Sequence, residues 1–380
     1  MWMKFTIEGD TLLKYSSIAD LIIKNVKSPL AILLNIYIEA LEDGTIILMS
    51  YNGESGIKLE LKANVEETGK ITVLSRKLLE ILRKLPGKKV VVRTSELSEN
   101  EVFIHEENVE NPVFYLNGIP ADAYPVFYEF NWENYITINP LISKELIEYT
   151  IFAVSQTSTK PAFTGIYIEE PVDGMLSFVS TDGKRLAFLT RKYNEKKGIV
   201  NTGVILPENV IRTLHSALDP DNEVFFSVTM NQAFFKISNI YLCSNLIEGK
   251  FPNYKDVIPK NKINSGVIEG EKFLEALETV AVMSDPDTGK TKLELTGGKM
   301  VLSAQHSVYG IAREELTPIE YSGSEISVYL NYKHLLDFLK VARGRNIEFT
   351  INSQSSPMVF KIIGDDDYTY IDMPLRSIED

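Results

Sequence analysis

Val73-Leu74-Ser75-Arg76-Lys77-Leu78-Leu79-Glu80-Ile81-Leu82-Arg83-Lys84 is the stretch from which the fold of this chain can be read. Val73-Leu74 ends an apolar strand, Ser75 suits a helix entrance, and Leu78, Leu79, Ile81 and Leu82 recur at helical spacing. A charged turn follows, and Val90-Val91-Val92 opens the next strand. The same order returns in Ile205-Leu206-Pro207, with Val210, Ile211 and Leu214 on the helix and Val224-Phe225-Phe226 after it. It returns again in Tyr329-Leu330-Asn331, with Leu335, Leu336, Phe338 and Leu339, then the strand Ile347–Ile351. Pro207 fits a first helical turn, and Ser75 and Asn331 fit side-chain caps. Leu74 to Leu206 is 132 positions and Leu206 to Leu330 is 124, a period near one third of the chain.

A second helix recurs earlier in each copy, over 11–22, 144–154 and 271–282. Each is followed by a loop ending in lysine (Lys27, Lys160, Lys290) and then by an alternating strand pair, at 46–61, 176–190 and 300–314. Tyr124-Pro125 and Phe251-Pro252 mark the junctions. These readings predict an α+β chain of three tandem copies, each with two helices packed on antiparallel sheet, divided as 1–132, 133–258 and 259–380. Strands of this kind carry open edges, which invites neighbouring copies to pair edge to edge.

The bulk composition fits a soluble scaffold. Of 380 residues, 44% are hydrophobic and 24% charged, enough for several ordinary cores. Met1-Trp2-Met3-Lys4-Phe5 runs into an alternating strand pattern without an apolar segment, so no signal peptide is expected. The longest apolar stretch, 30–38, is too short to span a bilayer and contains Asn35, so no membrane partner is expected. The single cysteine, Cys243, excludes an internal disulfide and fits the reducing cytoplasm. A net charge of −13 argues against a general nucleic-acid binder but leaves room for a local basic surface.

A search for catalytic chemistry finds no catalytic, metal or cofactor site. His105, His215, His306 and His334 lie far apart with no metal-ligand spacing, and no phosphate-binding or zinc-protease motif is present. Cys243 sits in an alternating strand at 240–246 and reads as core. Asp365-Asp366-Asp367 after Gly364 reads as a solvated hairpin turn. The helices say more. The first copy carries Arg76, Lys77, Arg83, Lys84, Lys88 and Lys89 against Glu80 alone, and the third carries Lys333, Lys340, Arg343 and Arg345 against Asp337. Such an excess in an acidic chain suits a phosphate-facing surface, and equally an ordinary solvated helix face. In the second copy Glu208 offsets Arg212, and no aromatic interleaving points to base readout.

Three stretches carry a resemblance. Thr181-Asp182-Gly183-Lys184-Arg185-Leu186-Ala187, Leu246-Ile247-Glu248-Gly249-Lys250-Phe251-Pro252-Asn253-Tyr254 and Met373-Pro374-Leu375-Arg376 resemble the bacterial DNA sliding clamp, the beta subunit of the replicative polymerase. Met3-Lys4-Phe5-Thr6-Ile7 and the threefold repeat extend the likeness over the whole chain. The resemblance implies a non-catalytic processivity factor: a head-to-tail homodimeric ring of six similar domains that encircles duplex DNA and slides without sequence specificity. A size estimate supports the dimer. A compact third of the chain is roughly 35 Å across; three in a closed ring leave a hole of about 5 Å and six leave about 35 Å. Only the larger hole admits a duplex roughly 20 Å wide.

By resemblance, Lys27 stands where the family has a DNA-contacting arginine; Lys160 and Lys290 recur in similar loops, and Arg76, Arg83 and Lys84 join them as DNA-facing residues. The family also has a pocket between its second and third domains for short motifs of the polymerase III alpha subunit, the clamp loader and other clamp-binding proteins. The matching positions are Phe163, Thr181, Gly183, Lys184, Arg185, Leu186, Pro252, Val257, Asn331, His334, Ile371, Met373, Pro374, Leu375 and Arg376. Leu186, Val257, Met373 and Pro374 would form an apolar floor for a leucine or phenylalanine anchor, with Met373 adapting to different partners and the Arg side chains holding the peptide at the rim. Asp256, Thr288 and His334 depart from the family pattern and bear on motif preference. Phe114 and Leu116 match one side of the subunit interface, Val282 and Met283 the other. Two other readings compete: an extended repeat protein of structural type, and a hydrolase using Asp182 with a second acid that the sequence does not identify.

Overall fold

The helices α1 (Gly9–Ile23), α2 (Ser75–Leu82), α3 (Pro140–Glu148), α4 (Glu208–Ala217), α5 (Gly270–Ala281) and α6 (Tyr332–Ala342) fall at the repeat positions in a computed structural model. It describes residues 2–24, 26, 28–95, 100–109, 114–125, 127, 130–259 and 261–375. The first helix of each copy starts earlier than its apolar spacing predicts. At Gly9 and Gly270 the backbone runs against the turn that follows the copy's second helix: a Cβ would lie 2.8 Å from the Lys88 carbonyl oxygen and 2.1 Å from that of Arg345. Glycine is needed there for contact, and its low helix propensity hides the start. In the second copy Asn139 supplies the start instead, accepting from the Leu141 amide at 2.9 Å. This helix stops at Glu148, short of residue 154, because the Thr150 hydroxyl donates to the Leu146 carbonyl at 2.6 Å and a separate tight turn spans Ile151–Ala153.

Asn331 caps α6 as expected, accepting from the Lys333 amide at 3.0 Å. Ser75 does not cap α2. It is the first helical residue, and its hydroxyl donates to Asp20 of α1 at 2.5 Å. Pro207 likewise lies just outside α4. The apolar faces are buried as the spacing requires: Leu78, Leu79, Ile81 and Leu82 of α2 are all below a tenth exposed. Each contributes about 2 kcal/mol by removal from water.

By contact density the chain divides into two compact units, which cut through the middle copy. The strand pairs whose register is defined among the described residues are antiparallel. In the first unit, Ser55–Lys62 of copy one pairs with Ile240–Asn245 of copy two, which merges two half-sheets into one of nine strands. In the second unit, Arg185–Lys192 of copy two pairs with Asp365–Asp372 of copy three in the same way. Edge strands of successive copies thus satisfy one another's backbone groups.

Among the described residues, two half-sheets have no such partner. The five-stranded sheet of copy one ends on Phe114–Asn117, the counterpart of Ile240–Asn245 and Asp365–Asp372. The four-stranded sheet of copy three ends on Gly310–Leu316, the counterpart of Ser55–Lys62 and Arg185–Lys192.

Candidate functional site

In the second unit the tight turn after Thr181 is tied by its own polar side chains. Asp182 Oδ1 accepts from the Lys184 and Arg185 amides at 2.9 and 3.0 Å. Thr181 Oγ1 accepts from the Gly183 amide at 3.0 Å and donates to the Arg185 carbonyl at 2.6 Å. Gly183 has φ of +88°, which a side chain would strain, and a Cβ there would press on the Phe163 ring at 3.3 Å.

Arg185 leads out of this turn, but its guanidinium is not a free rim group. It donates from Nε to Asp182 at 3.1 Å, from one terminal nitrogen to Asp337 of α6 at 2.7 Å, and from the other to the Phe152 carbonyl at 2.6 Å. It thereby ties copy two to copy three. Asp182 uses both oxygens within this turn, which gives it a structural role there.

Leu186 and Ile371 stand directly opposite each other on paired strands. With Val179, Ile205, Phe251, Tyr254 and Val359 they form a buried cluster, against which Phe163 packs. Phe251 stacks on Tyr167 at 4.8 Å, and the Tyr254 hydroxyl donates to Glu169 at 2.7 Å. Burial, then the Glu169 carboxylate, raises the Tyr254 phenol well above its ordinary pKa and keeps it protonated. Val257 and Met373 remain 45% and 38% exposed. The tail is held as an extra strand-like segment: the Met373 amide donates to the Lys184 carbonyl at 2.8 Å, and the Leu375 amide to the Tyr329 carbonyl at 2.7 Å.

The sequence-derived pocket residues are thus distributed as follows. Leu186, Ile371 and Phe163 share one cluster; Thr181, Gly183, Lys184 and Arg185 build the turn; Pro252 follows the clustered Phe251; Met373, Pro374 and Leu375 lie in the tail. Asn331 is a helix cap, and His334 faces the buried Asp372, not a rim: Nδ1 lies 2.9 Å from Oδ1. Arg376 lies outside the described residues. Val179, Ile205, Val359, Asp337 and Asp372 were missed. Only Val179 had a signal, two positions before Thr181 on the same strand face.

Among the basic candidates, Arg76 pairs with Glu80, while Arg83 and Lys84 are exposed and without an ion pair among the described residues. Lys160 lies over the Phe163 ring at 5.2 Å. Lys290 opens the strand Lys290–Thr296 and lies 3.9 Å over Tyr329, so it is not a free loop lysine. Lys27 lies outside the described residues. Phe114 and Leu116 are half-buried on their terminal strand, Met283 is half-buried and Val282 is 78% exposed. The acidic run leads out of the hairpin turn at Ile363-Gly364 with Asp366 and Asp367 exposed, as expected, but Asp365 begins a strand and takes Arg191 at 3.0 and 2.7 Å.

Three family models lie in tandem on this chain: DNA polymerase III beta subunit N-terminal domain over residues 3–128, central domain over 137–253 and C-terminal domain over 255–376. The chain belongs to the DNA polymerase III beta subunit family. A beta sliding clamp of Staphylococcus epidermidis is 29% identical over 99% of this chain and all of its own. Among solved structures, the sliding clamp of Bacillus subtilis is 25% identical with a TM-score of 0.88, over 99% of this chain and all of its own. The Pseudomonas aeruginosa sliding clamp bound to griselimycin is 26% identical with a TM-score of 0.87 over the same shares. The fold is therefore that of three tandem clamp domains, and the family is the replicative clamp.

Proposed function

We propose that two copies of this chain close head to tail into a ring that encircles duplex DNA, slides along it, and tethers the replicative polymerase, the clamp loader and other motif-bearing proteins. The observation that carries this reading is the pair of unpartnered half-sheets. Phe114–Asn117 and Gly310–Leu316 are the counterparts of strands that pair twice within the chain. A second copy offers each edge the partner its counterparts already have, and two such contacts close the assembly. Phe114, Leu116, Val282 and Met283 are the apolar residues assigned to that contact.

The ring holds DNA by topology and needs no catalytic group. Arg83 and Lys84, with Arg76, Lys27, Lys160 and Lys290, make phosphate contacts weak enough to be exchanged during sliding. The cluster around Leu186 and Ile371, open at Val257 and Met373, takes the apolar anchor of a partner's short motif, and the chain contributes no chemistry of its own. Loaded rings on nicked circular DNA should be retained and should run off once the DNA is linearised. Equal retention on both forms would overturn the sliding reading.

A further inference from the structure

The duplicated frame that carries the proposed motif pocket occurs twice. Shifting the first copy by 130 positions lays Tyr37, Glu39, Met49, Ser50, Asn52, Gly53 and Gly56 on Tyr167, Glu169, Val179, Ser180, Asp182, Gly183 and Leu186. The contacts repeat with the residues. Tyr37 donates to Glu39 as Tyr167 does to Glu169, at 3.0 and 3.3 Å. The Ser50 hydroxyl donates to the Ala19 carbonyl, as that of Ser180 does to the Thr150 carbonyl. Asn52 Oδ1 accepts two turn amides at 2.9 and 2.7 Å, as Asp182 does, and Gly53 has φ of +102° beside +88° at Gly183. Gly56 lies opposite Cys243 just as Leu186 lies opposite Ile371.

The side chains inside the two frames differ. Where the second has Thr181, the first has Tyr51. Past the strands the match shifts to 127 positions, Tyr124-Pro125 on Phe251-Pro252, which lays Phe127 on the buried Tyr254 and Phe130 on Val257. Val257 is 45% exposed, whereas Phe130 is 7% exposed and shares a cluster with Cys243. A Cβ on Gly56 would lie 2.9 Å from the Tyr51 ring and 3.4 Å from the Phe127 ring, so both rings occupy the space above that glycine. The hollow lined by Met49, Tyr51, Tyr124, Pro125, Phe127 and Cys243 leaves no room for a water.

We propose that the junction of the first and second copies is a latent motif pocket, kept shut by the chain's own Tyr51 and Phe127, whose rings fill the place a partner's apolar anchor takes at the other junction. This rests on the pocket reading above. It explains why one chain offers one motif site although it builds the frame twice, and Gly56 is the device: without a side chain there, the rings reach the sheet.

The only cysteine reports on this place. Cys243 is 3% exposed, and burial pushes its thiol up to about 11. In the full-length chain, Phe127→Ala should make Cys243 react at least tenfold faster with 5,5′-dithiobis(2-nitrobenzoate). A fluorescein-labelled decapeptide with a leucine–phenylalanine anchor should then protect the thiol and bind with a second molar equivalent per chain. Tyr51→Thr, which removes the other ring, is read identically should Phe127→Ala not fold. If the unmodified chain binds one equivalent and the folded variants still bind one, with Cys243 exposed and unprotected, the latent pocket is overturned alone. An unmodified chain that binds no peptide overturns the parent reading and this one together.

Discussion

Nδ1 of His334 lies 2.9 Å from Oδ1 of Asp372, a residue with no solvent exposure whose other oxygen has no partner among the described residues. Asp372 pairs in register with Arg185, so this carboxyl sits where α6 and two copies meet. Burial raises its pKa above the ordinary 3.8, against the opposing pull of His334 and Arg185.

The pH dependence follows from that direction. The folded chain holds a proton at Asp372 that the unfolded chain has released, so the stabilisation is complete below about pH 4 and declines as pH rises toward the raised folded value. Asp372→Asn stays neutral and should remove this decline. Urea unfolding at several pH values above 4 measures it; parallel curves for the two proteins would refute the assignment.

At a pH above the raised folded value, where Asp372 is ionised, His334→Ala strands a buried carboxylate and should cost about 3 kcal/mol. In the Asp372→Asn background the same change should cost about 1 kcal/mol, since only a neutral hydrogen bond is removed. A double-mutant cycle by urea denaturation reads the difference, and equal costs would place the two side chains out of contact.

Arg185→Lys keeps the charge but cannot reach Asp182, Asp337 and the Phe152 carbonyl at once. It should destabilise the chain by about 2 kcal/mol and weaken motif binding by loosening the turn beside Leu186. A variant with unchanged melting and unchanged peptide affinity would show that the fork is dispensable.

Val282 is exposed in the single chain, so Val282→Asp should leave thermal stability within about 0.5 kcal/mol. At the proposed subunit contact the same charge would be buried and unpaired. Sedimentation should move from twice 42.9 kDa toward 42.9 kDa at micromolar concentration. A persistent dimer would relocate the contact.

Arg83→Glu with Lys84→Glu should lower the slope of log affinity against log salt on duplex DNA by about 2, at roughly 0.9 for each phosphate no longer neutralised. Both residues are exposed on or beside α2, so folding should be unaffected. An unchanged slope would return that helix face to ordinary solvation.

The period, the strand pairs at 46–61, 176–190 and 300–314, and the helices α2, α4 and α6 were legible because local apolar spacing reports them directly. The early starts of α1 and α5 were not, because Gly9 and Gly270 answer to a distant carbonyl and not to helix propensity. In the candidate pocket, Leu186 lies within a quoted motif and Ile371 came only from the family resemblance, two positions before Met373, whereas Val359 became visible only through its pairing with Ile371.

Spacing along the chain by itself determined that three like copies exist, where their cores lie, and which turns and helix faces carry unusual chemistry. Tertiary structure decided what the residues do there. Arg185 became a clasp, His334 a partner for a buried acid, and Asp365 the seat of Arg191. It also decided that Tyr51 and Phe127, far apart in the chain, meet above Gly56. Periodicity reports the face a side chain is on, but the partner across that face is set by register between strands more than a hundred residues apart.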